Sequence, residues 1–283
     1  MNRDEALMQF ERVMKLRNLS QNTVKMYLYY LSEFFEYIGK DDITQCDLSN
    51  AQTFVIHMIE DRGYQPLSTN VVIGAIRYFF DSVLNVVFSH RQFPNLLYPQ
   101  FNPFLFTREQ ILALLETNDV RLRLIILLGI DCGMRVSEVA SLRICDIDSK
   151  NMLIHIHESK RRKSRSVKLS DACLLALRKY WLLYRPKQYL FPGKDSRSHV
   201  ITNTVRNWFN CHVRKFDFYT GEIHFHSLRH TFATNMLDNG CDIFLLQKLM
   251  GHASLASTAR YVHLSTRAVE LSFSLSEIWG IRE

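Results

Sequence analysis

Between Glu222 and Ser265 the chain collects His226, Arg229, His252 and Tyr261, side chains for which a packed core has little use. Their types suit one kind of chemistry. An imidazole exchanges protons near neutral pH. A guanidinium fork matches the oxygens of a phosphate and stays charged. A phenol, with an ordinary pKa of about 10, is a nucleophile only where something takes its proton. Attack on a phosphodiester needs charge on the non-bridging oxygens, an acceptor for the nucleophile's proton and a donor for the leaving alkoxide. A second guanidinium, Arg135, lies about ninety residues upstream, beside Glu138. Each residue alone has a plainer reading: Tyr261 as a core aromatic with a satisfied hydroxyl, Arg135 as the partner of Glu138.

Three short helices must position the downstream set. Leu228, Phe232, Ala233, Met236 and Leu237 follow helical spacing and stop at Gly240. Asp242 caps a second helix with Ile243, Leu245, Leu246, Leu249 and Met250, closed by Gly251. A third begins near Ser254 or Ser257 and carries Tyr261. His226 then opens the first helix, with Arg229 three residues on and on the same face, and His252 sits at the Gly-His corner. Upstream, Gly133 turns the chain into a short helix that starts at Arg135 and carries Val136, Val139 and Leu142. Met152 to His157 alternates and Ser166 to Leu169 follows a polar turn, which predicts a β-hairpin. Its turn, Lys160-Arg-Arg-Lys-Ser-Arg165, holds five basic residues in six positions. That run is either a nucleic-acid patch or a solvated tip.

The strings His226-Ser-Leu-Arg229-His-Thr, Leu249-Met-Gly-His252 and Tyr261-Val-His, with Gly133-Met-Arg135-Val-Ser-Glu138 upstream, resemble the conserved boxes of the tyrosine recombinase (phage integrase) family, of the two-domain, Xer-like type. The resemblance implies a site-specific DNA recombinase or integrase that cuts and rejoins strands through a 3′-phosphotyrosyl intermediate and a Holliday junction. In that scheme Tyr261 is the nucleophile and Arg135 and Arg229 hold the phosphate. His226 assists Tyr261 as base, Lys160 protonates the 5′ leaving oxygen and His252 hydrogen-bonds the scissile phosphate. Glu138 orients Arg135. Lys163 is the alternative to Lys160, because the hairpin lacks the family's usual glycines and has Lys168 where proline is common. Covalent catalysis of this kind implies no metal and no cofactor. The family acts as a homo-tetramer on two double-stranded DNA sites; a second recombinase or an accessory DNA-bending protein stays open.

Composition agrees with that class. At 283 residues the chain has room for two domains, and its formal net charge of +7 suits a polyanionic partner. Six scattered cysteines without a C-x-x-C pair read as reduced thiols. The opening Met1-Asn-Arg-Asp-Glu leads into an amphipathic pattern rather than a signal peptide, and the longest apolar run, Leu124 to Ile130, is too short for a bilayer. A cytoplasmic protein without a membrane partner is the expectation, and so is the lack of a further arm-binding domain.

The fold class predicted is mainly α, with a small β-hairpin in the catalytic domain. Residues 1–89 read as a four-helix core DNA-binding domain: about Asp4 to Leu16, then helices opened by Ser20, Ser49 and Ser68. Residues 90–105, with three prolines, read as a linker, and 106–283 as the catalytic domain with a C-terminal tail. Phosphate contacts are expected from Lys25 and Arg77 on the first domain and from Arg161, Arg162, Lys163 and Arg165 on the hairpin. The tail, with Val269, Leu271, Phe273 and Trp279, docks either on a neighbouring protomer or on its own domain. Three other readings remain: a type IB topoisomerase-like strand transferase, a DNA-binding protein of the same fold without catalysis, and a metal-dependent hydrolase using His155, His157, His224 and His226.

Overall fold

The computed structural model describes residues 1–98, 102–157, 164–195 and 197–265. The hairpin turn with Lys160, Arg161, Arg162 and Lys163, and the tail from 266 onward, lie outside the described residues. So do the expectations made for them. The chain divides into two compact units, Met1–Phe101 and Asn102–Glu283.

The first unit is built from α1 (Arg3–Leu16), α2 (Gln21–Ile38), α3 (Leu48–Glu60) and α4 (Pro66–Ser82). Asn2 and Glu5 form a capping box for α1, and Ser20 caps α2, which ends on left-handed Gly39. The helix starts differ from the sequence reading at two places. Asp47 rather than Ser49 caps α3, and α4 opens with Pro66 at its first position, where a missing N–H costs nothing. Phe10, Phe34, Phe54, Phe79 and Phe80 fill the centre, with rings meeting edge-on at 5.4–5.5 Å between Phe34 and Phe54 and between Phe10 and Phe79.

The stretch expected as a linker from residue 90 is, up to residue 98, part of this unit. Phe93 is buried against Phe88, and Asn70 exchanges two hydrogen bonds with the backbone of Leu96. Arg77, expected as a phosphate contact, is half-buried on α4. Its guanidinium lies over the Phe93 ring at 5.8 Å and donates to the Phe93 carbonyl, so it ties down the chain that follows α4. Lys25 is exposed on α2.

The second unit contains α5 (Arg108–Leu115), α6 (Val120–Ile130), α7 (Val136–Ser141), β1 (Ile147–Asp148), β2 (Leu153–Ile156) and β3 (Arg165–Lys168). There follow α8 (Asp171–Tyr184), α9 (Thr202–Val213), α10 (Phe225–Asp238), α11 (Ile243–Met250) and α12 (Ala256–Ala259). The predicted hairpin gains a third strand: an antiparallel sheet in the order β1-β2-β3, with Ile154 opposite Val167 and Ile156 opposite Arg165. From Leu124 to Gly129 helix α6 is apolar and buried on every side because it is the central helix, packed by α8, α9 and α10. Gly129 lets α10 approach, since a Cβ there would come within 2.8 Å of Leu228. Gly133 has φ of +60°, and a side chain at that position would run into the Phe232 ring. The turn into α7 therefore requires glycine on both counts.

Candidate active site

Helix α7 is too short to hold an arginine by itself, so Glu138 and α11 do it. Glu138 is 9% exposed and accepts from the Arg135 backbone N–H and side chain, both at 2.7 Å. Its two carboxylate oxygens also meet the fork of Arg165 at 2.9 and 2.7 Å, and Arg229 Nη1 lies 3.9 Å away. Burial alone pushes the Glu138 carboxyl up. The Arg165 hydrogen bonds and charge, the Arg135 N–H and Arg229 outweigh it and hold the group down at about 2.

The other end of each arginine finds α11. A helix leaves its last carbonyls without intrahelical partners. Here Leu249 O accepts from Arg165 Nε at 2.7 Å, Met250 O from Arg229 Nη2, and Gly251 O from Arg135 Nη2 at 3.0 Å. Arg229 Nη1 donates to Gly133 O at 2.6 Å. Gly251 closes α11 with φ of +60°, and its missing Cβ leaves room for Arg165 Nη1, which would lie 2.8 Å from it. Three guanidiniums around one carboxylate leave a net charge of +2 (3 − 1), an excess suited to a phosphodiester.

Arg165 is therefore a correction. Expected as a DNA contact of the hairpin, it is 6% exposed and serves as the strut between Glu138 and α11. The alternation of β3, in which Arg165 and Val167 are buried while Ser166 and Lys168 are exposed, puts it inside.

His252 follows Gly251 directly. Its Nε2 accepts from Arg229 Nη2 at 3.2 Å, which leaves Nδ1–H to donate to the Thr258 hydroxyl at 2.9 Å. Its ring stacks on Tyr261, 6.3 Å between centroids and 10° between planes. Tyr261 is 3% exposed, and burial raises its phenol above the ordinary value despite the opposing fields of Arg229, Arg260 and Arg135. The group in hydrogen-bond contact with its Oη is His230, through Nδ1 at 2.9 Å. His226, one turn earlier on α10, has its ring 6.1 Å from that of His230 and is half-buried. His226, Arg229, His252 and Tyr261 thus lie in one place with Arg135, while Lys160 is outside the described residues.

The sequence reading missed His230 and Thr258. The spacing signal for His230 was available: it lies four residues after His226 and so shares its helix face. The other histidines considered as metal ligands have nearby partners. His155 bonds Ser166 at 2.9 Å, His157 pairs with Asp146 at 3.2 Å, and His224 bonds Glu222 O at 2.7 Å.

Burial, reinforced by the arginines, pushes His226 down to about 4 and His252 to about 3; burial and the neighbouring histidines push His230 down to about 3. In the unfolded chain they titrate near 6.5. Below that pH the unfolded chain binds protons that the folded site refuses. Stability from this source is complete above pH 6.5 and is lost as pH falls towards 4. The thermal midpoint is expected to drop steadily between those limits; a flat midpoint over that range would show that the imidazoles are not held neutral.

Comparison with known proteins agrees with the geometry. The profile of the phage integrase family matches residues 106–267, and that of the phage integrase N-terminal SAM-like domain matches residues 7–88. The tyrosine recombinase XerA of Pyrococcus furiosus is 31% identical over 290 residues, covering 98% of this chain and 97% of the relative. A crystal structure of XerA recombinase superposes with a TM-score of 0.55 at 26% identity, covering 99% of each chain. The XerH site-specific recombinase bound to difH substrate, in a pre-cleavage complex, gives a TM-score of 0.72 at 21% identity over 98% of this chain and 85% of that one. No helix among the described residues is long and apolar enough to cross a membrane. The chain belongs to the phage integrase family of tyrosine recombinases.

Proposed function

We propose that the protein is a site-specific recombinase that cuts double-stranded DNA by attack of Tyr261 on a scissile phosphodiester. The observation that carries this reading is the continuous contact from Arg229 through His252 to the stacked ring of Tyr261. Arg135 and Arg229 neutralise the non-bridging oxygens, and the excess positive charge is in place before the substrate arrives. His252 bonds the phosphate in its other tautomer, with Nε2–H donating to the oxygen instead of accepting from Arg229 and Nδ1 accepting from the Thr258 hydroxyl, and Lys160 protonates the 5′ oxygen as it leaves. His226, which feels the charges of Arg229, His224 and Arg135, assists from the next turn of α10. The 3′-phosphotyrosyl bond keeps the energy of the broken linkage, so a 5′-hydroxyl from a second duplex can reverse the step without a nucleotide cofactor. Exchange through a Holliday junction in a homo-tetramer on two sites follows from the same scheme. Support for DNA as the substrate comes from the XerH complex and from the net charge of +7.

The test uses a nicked duplex carrying the sequence that the protein selects from a random pool, incubated in EDTA. Loss of the short fragment next to the nick traps the cut strand. A covalent protein–DNA adduct is expected, and peptide mapping should find the nucleotide on Tyr261. Attachment at another residue, or cutting that requires a metal ion, would sink the proposal. Supercoil relaxation without exchange between sites would favour the topoisomerase-like alternative.

A further inference from the structure

This inference rests on the proposed reaction and adds a residue to it. We propose that His230, rather than His226, accepts the phenolic proton of Tyr261 when the strand is cut.

Geometry comes first. The Nδ1 of His230 stands 2.9 Å from the phenolic oxygen, within direct proton-transfer distance. Both partners are buried, at 8% and 3% exposure, so bulk water does not compete for that hydrogen bond. Position on α10 explains why His230 reaches the nucleophile and its neighbours do not. Arg229, one residue earlier, turns towards Gly133, Met250 and His252. His226, one turn earlier, stands at the half-buried end of the same helix face. The rings of His230, His226 and His224 follow one another at 6.1 Å intervals from the buried phenol towards the surface. That series gives a proton taken up at His230 a way out, and it gives His226 a place as the next station.

Charge is consistent with the role. The groups that face His230 are His226 and His224 on its own helix and cap, Arg229 beside it, and Arg260 after α12. Burial and these neighbours favour its neutral form, which has one accepting ring nitrogen; the role requires the tautomer in which that nitrogen is Nδ1, facing the phenol. A bound phosphodiester brings negative charge that offsets the arginines and raises the basicity of His230 when a base is needed. In the cutting step the Oη–P bond forms and the P–O5′ bond breaks. The Oη proton goes to Nδ1 of His230, and the leaving 5′ oxygen takes a proton from the hairpin lysine. Rejoining runs the same transfers backwards, with His230 returning the proton to Tyr261.

The test measures single-turnover adduct formation by the full chain on the nicked duplex described above, with His230→Ala, His230→Asn and His226→Ala. An asparagine amide oxygen can occupy the place of Nδ1 and hold the phenol, but it cannot take a proton. Both His230 variants are expected to slow cutting by roughly 10²–10⁴-fold, with DNA binding retained and the thermal midpoint of His230→Asn close to that of the parent. Added imidazole should restore part of the rate to His230→Ala. Replacing the leaving 5′ oxygen by sulfur, which needs no proton on departure, should not rescue either variant. Parent-like cutting by His230→Asn would overturn the assignment, because the bond would then only position the ring. Imidazole rescue of His226→Ala but not of His230→Ala would overturn it in favour of His226. If the unmodified protein makes an adduct and His230→Ala matches its rate, this inference alone fails. If the unmodified protein makes none on any duplex, the proposed reaction itself fails.

Discussion

Arg229→Lys is expected to slow covalent attachment to DNA by roughly 10³-fold or more, about 4 kcal/mol of transition-state stabilisation. Arg229 donates to Gly133 O, to Met250 O and to His252 Nε2 from one rigid plane, and the proposed reaction asks the same cation to hold the phosphate. An ammonium is a compact point charge with no such plane. It can keep the charge or reach one carbonyl, but it cannot hold the carbonyls of Gly133 and Met250 and span two phosphate oxygens together. Binding to DNA draws on many other contacts, so affinity should change far less than rate. Measuring both on the nicked duplex separates the two effects. A lysine variant that cuts within a few-fold of the parent would show that this guanidinium is structural.

Glu138→Gln should have the largest effect on stability. The amide is nearly the same shape, but it removes the negative charge against which Arg135 and Arg165 pack and near which Arg229 lies. It also turns an N–H₂ group towards guanidinium donors. Breaking one partner of a buried ion pair costs about 3–5 kcal/mol, which for a unit of this size lowers the thermal midpoint on the order of 10 °C. The pH dependence has a definite sign. Glu138 is held at about 2, below its ordinary value of 4.5, so its contribution is complete above pH 4.5 and is lost as pH falls towards 2. The glutamine variant should lack that acid limb. An unchanged midpoint in the variant would show that the carboxylate does not hold the arginines together.

Much of this arrangement was legible in the sequence, and the residues show why. The helices that carry the site announce their ends through Asp242, Gly251 and the Gly133 turn, because caps and left-handed stops are local chemistry. Pairing Arg135 with Glu138 also follows from local spacing. Arg165 was misplaced because five basic residues in six positions suggested a surface, although the two-residue alternation of the strand put Arg165 on the same face as Val167. The partnership of His230 with Tyr261 spans 31 positions, and nothing local encodes it. Residues 90–98 looked like a linker because prolines break the helical period, yet Phe93 and Leu96 reach a core that only the folded first unit provides. Third-strand pairing by Ile147 and Asp148 was invisible for a similar reason, since two residues carry no periodicity.

The short helix α11 ends with each of its last carbonyls on a different arginine, and ten residues later the chain reaches Tyr261. Grip and blade therefore hang from one bracket. If the proposed reaction holds, a shift of those carbonyls would move Arg135, Arg165 and Arg229 together with the start of the segment that carries Tyr261.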